Sequence, residues 1–302
     1  PVVHEQHPST SNLFGAVEGR ILANGPGFIH MAVRPGSILS ADGGFLVIAH
    51  RGGKGLAPEN TLAAFAHAAA LGVDVLEMDL RQSSDGVPVI LHDRRVDRTT
   101  DGQGRADSLT LAQLQALDAG YRFSPDDATY PHRGQGVNIP TLDEVFTAFP
   151  QMRFLIEIKD NSDALAETFC QTVKRFQLEN RVIAASFRGG PLETFRRACP
   201  KVATSTPSGA VLPFVLMHWL RLDMAYHPTH QAFQIPARLG KIELVDRRLV
   251  ERAHAHNAQV HAWTINDPTA MRDLIDLGVD GLITDYPDRL LHILKRLPAE
   301  ER

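Results

Sequence analysis

The chain has little of what would mark several functional classes. It carries two cysteines in 302 residues, Cys170 and Cys199, far apart in sequence and each within a helix-like segment. They read as core or half-buried residues, and they suggest neither a disulfide framework nor a zinc site. No apolar run approaches the ~18 residues that a membrane-spanning helix requires. Basic charge is not in excess: 31 lysines and arginines stand against 35 acidic residues, giving a formal net charge of −4 with no basic face evident. Nucleic-acid binding, whose affinity rests on clustered Lys and Arg, is therefore not expected. Residues 1–40 lack sustained periodicity and are rich in Gly, Pro, Ser and His, so they read as a poorly defined amino-terminal tail. Met31 is a candidate native start within that tail, with a signal segment as the alternative. A cytoplasmic location is the first expectation, with a secreted or periplasmic one left open.

With 43% hydrophobic and 22% charged residues, the composition is that of an ordinary globular enzyme. A single α/β barrel needs about 250 residues, so one domain over 41–302 plus the tail fits better than two equal domains. Apolar, β-branched runs appear at 45–50, 75–80, 153–159, 182–187, 202–206, 232–236, 260–265 and 281–285. Amphipathic stretches lie between most of them: Pro58–Leu71, Leu142–Phe149, Ala164–Phe176, Leu192–Cys199, Asp246–His256, Pro268–Leu277 and Asp288–Leu297. The first opens with Pro58 as a first-turn proline and closes at Gly72. Strand alternating with helix in this way predicts a (β/α)8 TIM barrel.

One run breaks the alternation. Val87–Leu91 follows Leu80 too closely for a parallel crossover, and Asp85-Gly86 between them is a hairpin signal. With that dipeptide as the tip, Leu80 pairs with Leu91 and His92 falls opposite Asp79, so a hairpin over 75–92 returns a histidine to an acidic pair. Residues 94–140, with a short helix candidate at Leu109–Leu117, read as an insertion over the barrel mouth; roughly 45 residues is long for a βα loop. The apolar stretch 212–222, with Phe214 and Trp219, reads first as a buried barrel helix, and peripheral membrane contact is the alternative.

The chemistry-bearing residues cluster at strand ends. Glu77 and Asp79 are two apart on a strand and so share a face, which in a barrel is the interior. Unpaired carboxylates there repel one another and resist desolvation. A hard divalent cation relieves both, and oxygen ligands select Mg2+ or Ca2+. Glu157 is a third carboxylate on the next strand, sharing its face with Lys159, which would meet a substrate oxygen as a point charge. Arg51 offers a forked donor set suited to phosphate. The bland alternative is a structural network in which these carboxylates pair with Arg51, Arg81 or Lys159. His50 and His92 are imidazoles, the side-chain type suited to accept and to donate a proton near neutrality. A lone histidine on an apolar strand is more often a hydrogen-bonded core residue, but two flanking a carboxylate cluster argue for chemistry. Trp263 ends the seventh barrel strand, where it either stacks on substrate carbon or plugs the barrel. Thr284 and Asp285 read as rim-holding residues.

In combination and in order, these segments resemble the glycerophosphodiester phosphodiesterase family, among the phospholipase-C-like phosphodiesterase barrels. The resemblance spans nearly all of 46–292. It rests on His50-Arg51-Gly52, Pro58-Glu59-Asn60-Thr61, Glu77-x-Asp79, Asp85-Gly86-x-Pro88-Val89 leading to His92-Asp93, Glu157-x-Lys159, Trp263-Thr264-x-Asn266 and Thr284-Asp285. It implies metal-dependent hydrolysis of glycerophosphodiesters to sn-glycerol 3-phosphate and an alcohol, with one divalent cation, Mg2+ or Ca2+. On the matching positions it implies His50 and His92 as the acid/base pair and Glu77, Asp79 and Glu157 as metal ligands. Arg51 and Lys159 match phosphate contacts, and Glu59 a residue that orients the site from behind. The longer Tyr121–Asn138 stretch and the apolar 212–222 segment are similar to members that act on lysophospholipids as lysophospholipase D, the rival reading. A non-catalytic phospholipid-binding barrel is a further rival. Residues 1–40 have no counterpart in the resemblance.

Overall fold

The computed structural model describes residues 44–221 and 230–297. The expected tail, residues 1–40, and Leu222 of the apolar stretch lie outside them. Among the described residues the eight apolar runs become parallel strands: β1 (Leu46–Ala49), β2 (Val75–Gln82), β4 (Arg153–Ile158), β5 (Val182–Ala185), β6 (Ala203–Thr204), β7 (Ala232–Pro236), β10 (Gln259–Trp263) and β11 (Gly281–Thr284). A short antiparallel strand, β3 (Pro88–Ile90), pairs with β2, and a separate two-stranded ribbon joins β8 (Arg238–Leu239) to β9 (Ile242–Glu243). The parallel order is β6-β5-β4-β2-β1-β11-β10-β7, and a parallel bridge between Ser205 and Ala232 brings the two ends together. The fold is a (β/α)8 barrel, nearly closed.

Helices cover the outside: α1 (Leu62–Leu71), α2 (Leu111–Gln115), α3 (Leu142–Ala148), α4 (Asp163–Arg175), α5 (Gly189–Ala198), α6 (Ser208–Trp219), α7 (Arg247–Ala255), α8 (Pro268–Leu277) and α9 (Pro287–Ile293). Local chemistry starts many of them. Thr61, Thr141, Ser162, Asp246 and Asp267 each accept a backbone N–H at a helix start, an interaction that contributes about 1 kcal/mol apiece.

The period of two along each strand divides the core. Leu76, Met78 and Leu80 of β2 face the helices, with Phe154, Ile156 and Ile158 of β4 beside them. Val75 and Leu155 point inward with Leu46, Ile48, Ile183 and Ile283 to fill the lower barrel. Continuing that inward parity places Glu77 and Asp79 on β2, and Glu157 then Lys159 on β4, above the apolar plug. The acidic face therefore follows from strand parity.

Three expectations are corrected. The first helix begins after Thr61, so Pro58 lies in the preceding turn; Asn60 there takes a left-handed φ of 59°, which a helix cannot contain. The hairpin register differs by one residue: Leu80 pairs with Ile90, Arg81 with Val89 and Gln82 with Pro88. Its loop is one residue longer than a two-residue turn, because Ser83 pairs with Val87 and Gly86 takes φ 84°. Leu91 N consequently donates to Asp79 O, and His92 lies one step beyond the position opposite Asp79. Finally, Cys170 and Cys199 form a disulfide with a Cα separation of 5.8 Å. Their distance in sequence misleads, because α4 and α5 belong to consecutive strand–helix units and pack side by side.

Candidate active site

The chain leaves β1 through a sharp turn. Arg51, Gly52 and Gly53 take φ values of 52°, 81° and 83° in succession. At Gly52 a Cβ would come within 2.8 Å of the Ala64 Cβ, so only glycine lets this turn pack on α1. The turn sets Arg51 over the acidic strand. Its backbone N–H donates to Glu77 Oε2 at 2.6 Å, its Nη1 to Glu59 Oε1 at 2.9 Å, and its Nε lies 3.2 Å from Asp79 Oδ2.

Each residue of Pro58-Glu59-Asn60-Thr61 has a distinct contact. Thr61 caps α1 and donates its hydroxyl to Pro58 O. Asn60 Nδ2 donates to Asp79 Oδ2 at 2.8 Å while Asn60 Oδ1 accepts from Asp79 N, a reciprocal clamp on a fully buried carboxylate. Glu59 Oε1 accepts from Arg51 Nη1, so it contacts Arg51 directly.

Glu77, Asp79 and Glu157 converge: one oxygen from each lies within 4.8 Å of the others. The register explains this, since Asp79 is directly paired with Glu157 across β2 and β4. Lys159 Nζ enters the cluster 3.0 Å from Asp79 Oδ1 and 2.7 Å from Glu157 Oε2. Arg51 and Lys159 therefore do pair with the carboxylates, while Arg81 turns away to Asp160 and to His92 O.

The pairing leaves the acids incompletely satisfied. Burial, and then repulsion from Asp79, push the Glu77 carboxyl up to about 7. Burial raises Glu157 as well, and its Oε1 is buried with no hydrogen-bond partner. Burial would raise Asp79 too, but Lys159, Arg51 and His92 hold it down at about 2. Three oxygen donors of one convergent site, one of them orphaned, fit a hard divalent cation, with Glu77, Asp79 and Glu157 as its holders.

His50 and His92 line one cavity with this cluster, a space of 410 Å3. Each is fixed through Nδ1: His50 to Asp285 Oδ1 at 2.6 Å and His92 to Asp93 Oδ1 at 2.7 Å. Nε2 of each ring is thereby left for proton transfer. Burial, with Arg51 and Lys159 nearby, lowers the His92 pKa from its ordinary value despite the opposing charge of Asp79. The Asp285 carboxylate is lowered by its bonds to His50 and Asn266 against the effect of burial. Asn266 anchors it with Nδ2 to Asp285 Oδ2 at 2.8 Å and Oδ1 accepting from Asp285 N.

Asp285, Asn266, Asp93 and Asn60 are site residues that sequence reasoning underrated. Asp285 had read as holding the rim, yet it touches the first histidine from across the β1–β11 junction. The adjacency His92-Asp93 was a usable signal; the contact of His50 with Asp285 was not, because the two are 235 positions apart.

The remaining cavity wall is largely apolar, formed by Leu155, Val211, Val215, Leu244 and Ile283. Trp263 is half-buried on that wall and meets Phe187 edge to face, with ring centroids 5.9 Å apart. Thr206 Oγ1 and Gln234 Nε2, also on the wall, are buried without hydrogen-bond partners. The stretch expected to be a barrel helix is α6, which buries Val211, Phe214, Val215 and His218. Its far end exposes Leu216, Trp219 and Leu220, and the β8–β9 ribbon exposes Leu239 and Ile242.

Residues 50–289 match the model of the glycerophosphoryl diester phosphodiesterase family. A second model, LonB-like, AAA domain, matches residues 1–52, a small part of the chain. A probable glycerophosphodiester phosphodiesterase 2 of Mycobacterium tuberculosis is 35% identical over 75% of this chain and 81% of its own length. The crystal structure of a glycerophosphoryl diester phosphodiesterase domain from that organism superposes with a TM-score of 0.75 at 24% identity, covering 84% of this chain and 99% of that one. An Oleispira antarctica phosphodiesterase, solved in complex with the product sn-glycerol-3-phosphate, has a TM-score of 0.65 at 28% identity, over 82% of this chain and 96% of its own. The barrel, the turn after β1 and the carboxylate cluster thus lie within the matched region, and the chain belongs to the glycerophosphoryl diester phosphodiesterase family.

Proposed function

We propose that this protein hydrolyses glycerophosphodiesters to sn-glycerol 3-phosphate and an alcohol, using His50 and His92 as acid and base. The observation that carries the reading is the convergence of Glu77, Asp79 and Glu157 at a cavity that Glu77 and Glu157 line together with both histidines, Arg51 and Lys159. When bound, Mg2+ or Ca2+ at the three carboxylates would supply Lewis-acid polarisation of the phosphoryl group. Arg51 and Lys159 add positive charge where negative charge develops on the phosphoryl oxygens. One imidazole takes the proton from the attacking group, which is water or the substrate's own glycerol 2-hydroxyl; the second route expels the alcohol to leave a cyclic phosphate that water then opens to sn-glycerol 3-phosphate. The other gives a proton to the departing alkoxide. Asp285 and Asp93 hold the two rings in one orientation and one tautomer. Trp263 offers a face to the carbon skeleton of the substrate, and Thr206 and Gln234 offer it unpaired polar atoms.

The test is release of sn-glycerol 3-phosphate from glycerophosphocholine and glycerophosphoethanolamine with added Mg2+ or Ca2+, and its loss on chelation. No turnover of either compound under those conditions removes this reading; a non-catalytic lipid-binding barrel follows only if lysophospholipids are not turned over either.

A second reading, lysophospholipase D acting on lysophospholipids at the same site, is favoured by the apolar wall. Among the described residues, six of the seven large apolar side chains that stand exposed are Phe187 and five on α6, the residue after it, and the β8–β9 ribbon. Phe187, Trp219 and Leu239 of that set also line the cavity. An alkyl chain extending from the phosphodiester would run along this wall, and the exposed end of α6 would meet a lipid surface. Choline release from lysophosphatidylcholine alone, with none from glycerophosphocholine, would select it. The Cys170–Cys199 bridge favours the secreted or periplasmic alternative, since disulfides persist in oxidising compartments.

A further inference from the structure

The insertion after β3 carries an arginine that no role above uses. Arg98 sits in a single turn fixed at its end by Thr100, whose N–H and hydroxyl both donate to Val96 O. From there its guanidinium bridges two carboxylates. Nη1 and Nη2 chelate Glu59 at 2.8 and 2.7 Å, and Nε donates to Asp93 Oδ2 at 2.5 Å. Each of those carboxylates turns its other contact to the site. Glu59 Oε1 accepts from Arg51 Nη1, and Asp93 Oδ1 meets His92 Nδ1. One continuous chain of contacts therefore runs Arg51–Glu59–Arg98–Asp93–His92.

We propose that Arg98 is a positioning residue that sets the phosphate-contacting arginine and one acid/base histidine relative to each other. The inference rests on the roles given above to Arg51 and His92. A planar fork can satisfy both carboxylates at once, and a point charge cannot. With Arg98 in place, Glu59 is neutralised by two cations, so Arg51 keeps charge for a phosphate. Without it, Arg51 is the one cation described above that still contacts Glu59, and Glu59 draws it from the substrate. Asp93 at the same time loses the bond that fixes the carboxylate against which His92 is oriented. Two separable defects are expected: weaker binding through Arg51 and slower proton transfer through His92. Arg98 is itself half-exposed, so an isolated surface ion pair would do little. The bidentate contact and the well-covered Glu59 carboxylate make this one different.

Steady-state kinetics of the full chain on glycerophosphocholine with Mg2+ or Ca2+ test the assignment. Arg98→Ala is expected to lower kcat by roughly 10–100-fold, the usual cost of losing a partner behind a contacting residue, and to raise KM. Its unfolding midpoint should stay near that of the wild type. Asp93→Asn should reproduce mainly the fall in kcat and Glu59→Gln mainly the rise in KM. Adding Arg98→Ala to Asp93→Asn should cost little further kcat, because both act through one contact chain. Should the alanine variant fold poorly, Arg98→Lys carries the test, and it should recover at most one of the two defects. Constants within about twofold of wild type in Arg98→Ala, full additivity with Asp93→Asn, or full recovery by lysine would each overturn the proposal. Inactivity of the wild type would instead remove the functional reading on which it rests, and this proposal with it.

Discussion

Lys159 Nζ stands 3.0 Å from Asp79 Oδ1, reaching from the end of β4 to the adjacent strand β2 and into the middle of the carboxylate cluster. A fixed cation is thus built into the site, and Asp79, almost wholly buried, depends on it for compensation. Lys159→Met should lower kcat/KM by at least about 100-fold, since a phosphate contact and a cluster charge go together. Breaking one side of a buried pair should also destabilise the metal-free protein by about 3–5 kcal/mol. A divalent cation should restore part of that loss. Thermal unfolding with chelator and with excess Mg2+ or Ca2+ measures it, and equal midpoints for the variant and wild type without metal would contradict the role given to Lys159.

The two histidines should be separately essential. His50→Ala and His92→Ala are each expected to cut turnover by roughly 10²–10⁴ while the fold survives, each change removing one side chain beyond the end of a strand. Asp285→Asn keeps the shape but weakens the hold on His50, and about 10–100-fold is the expected loss. Near-wild-type rates in either alanine variant would remove the acid/base assignment.

The cluster should make stability depend on pH in a way that metal reverses. Burial and then Asp79 raise the Glu77 carboxyl to about 7 in the metal-free protein. A folded-state value above the unfolded one gives stability that is complete below the ordinary carboxylate range and is lost as pH rises through about 7. Without metal, the unfolding midpoint should therefore fall across that value. Metal binding needs the ionised carboxylate, so excess Mg2+ or Ca2+ should flatten or invert the slope. Parallel pH profiles with chelator and with metal would argue against Glu77 as a ligand.

The disulfide should stabilise without taking part in chemistry. It closes a loop of 29 residues between α4 and α5, away from the cavity. Replacing both cysteines by serine should cost about 2–4 kcal/mol of stability and leave KM unchanged. An unfolding midpoint insensitive to reductant would contradict the pairing.

The catalytic types were legible in the sequence because strand parity and strand ends are local. Glu77 and Asp79 share a face at any register, and Glu157-x-Lys159 repeats the pattern one strand along. The turn chemistry was less legible. Asp85-Gly86 marked a hairpin, but only the positive φ of Gly86 in a longer loop fixed the register, one residue from the expected pairing. Pro58 resembled a helix start because proline suits first turns, whereas Thr61 supplies the cap.

Alternating hydrophobicity by itself determined the barrel, and the spacing of acids, cations and imidazoles along it determined which side chains meet in its mouth. Both are properties of neighbours in the chain. What only the tertiary structure decided are contacts whose partners lie far apart in sequence. His50 finds Asp285 because barrel closure sets β1 beside β11. Cys170 finds Cys199 because successive outer helices pack together. Arg98 finds Glu59, 39 positions away, because the insertion folds back over the turn that follows β1. Such pairs depend on where three-dimensional packing brings separate segments, and no local period in the sequence encodes it.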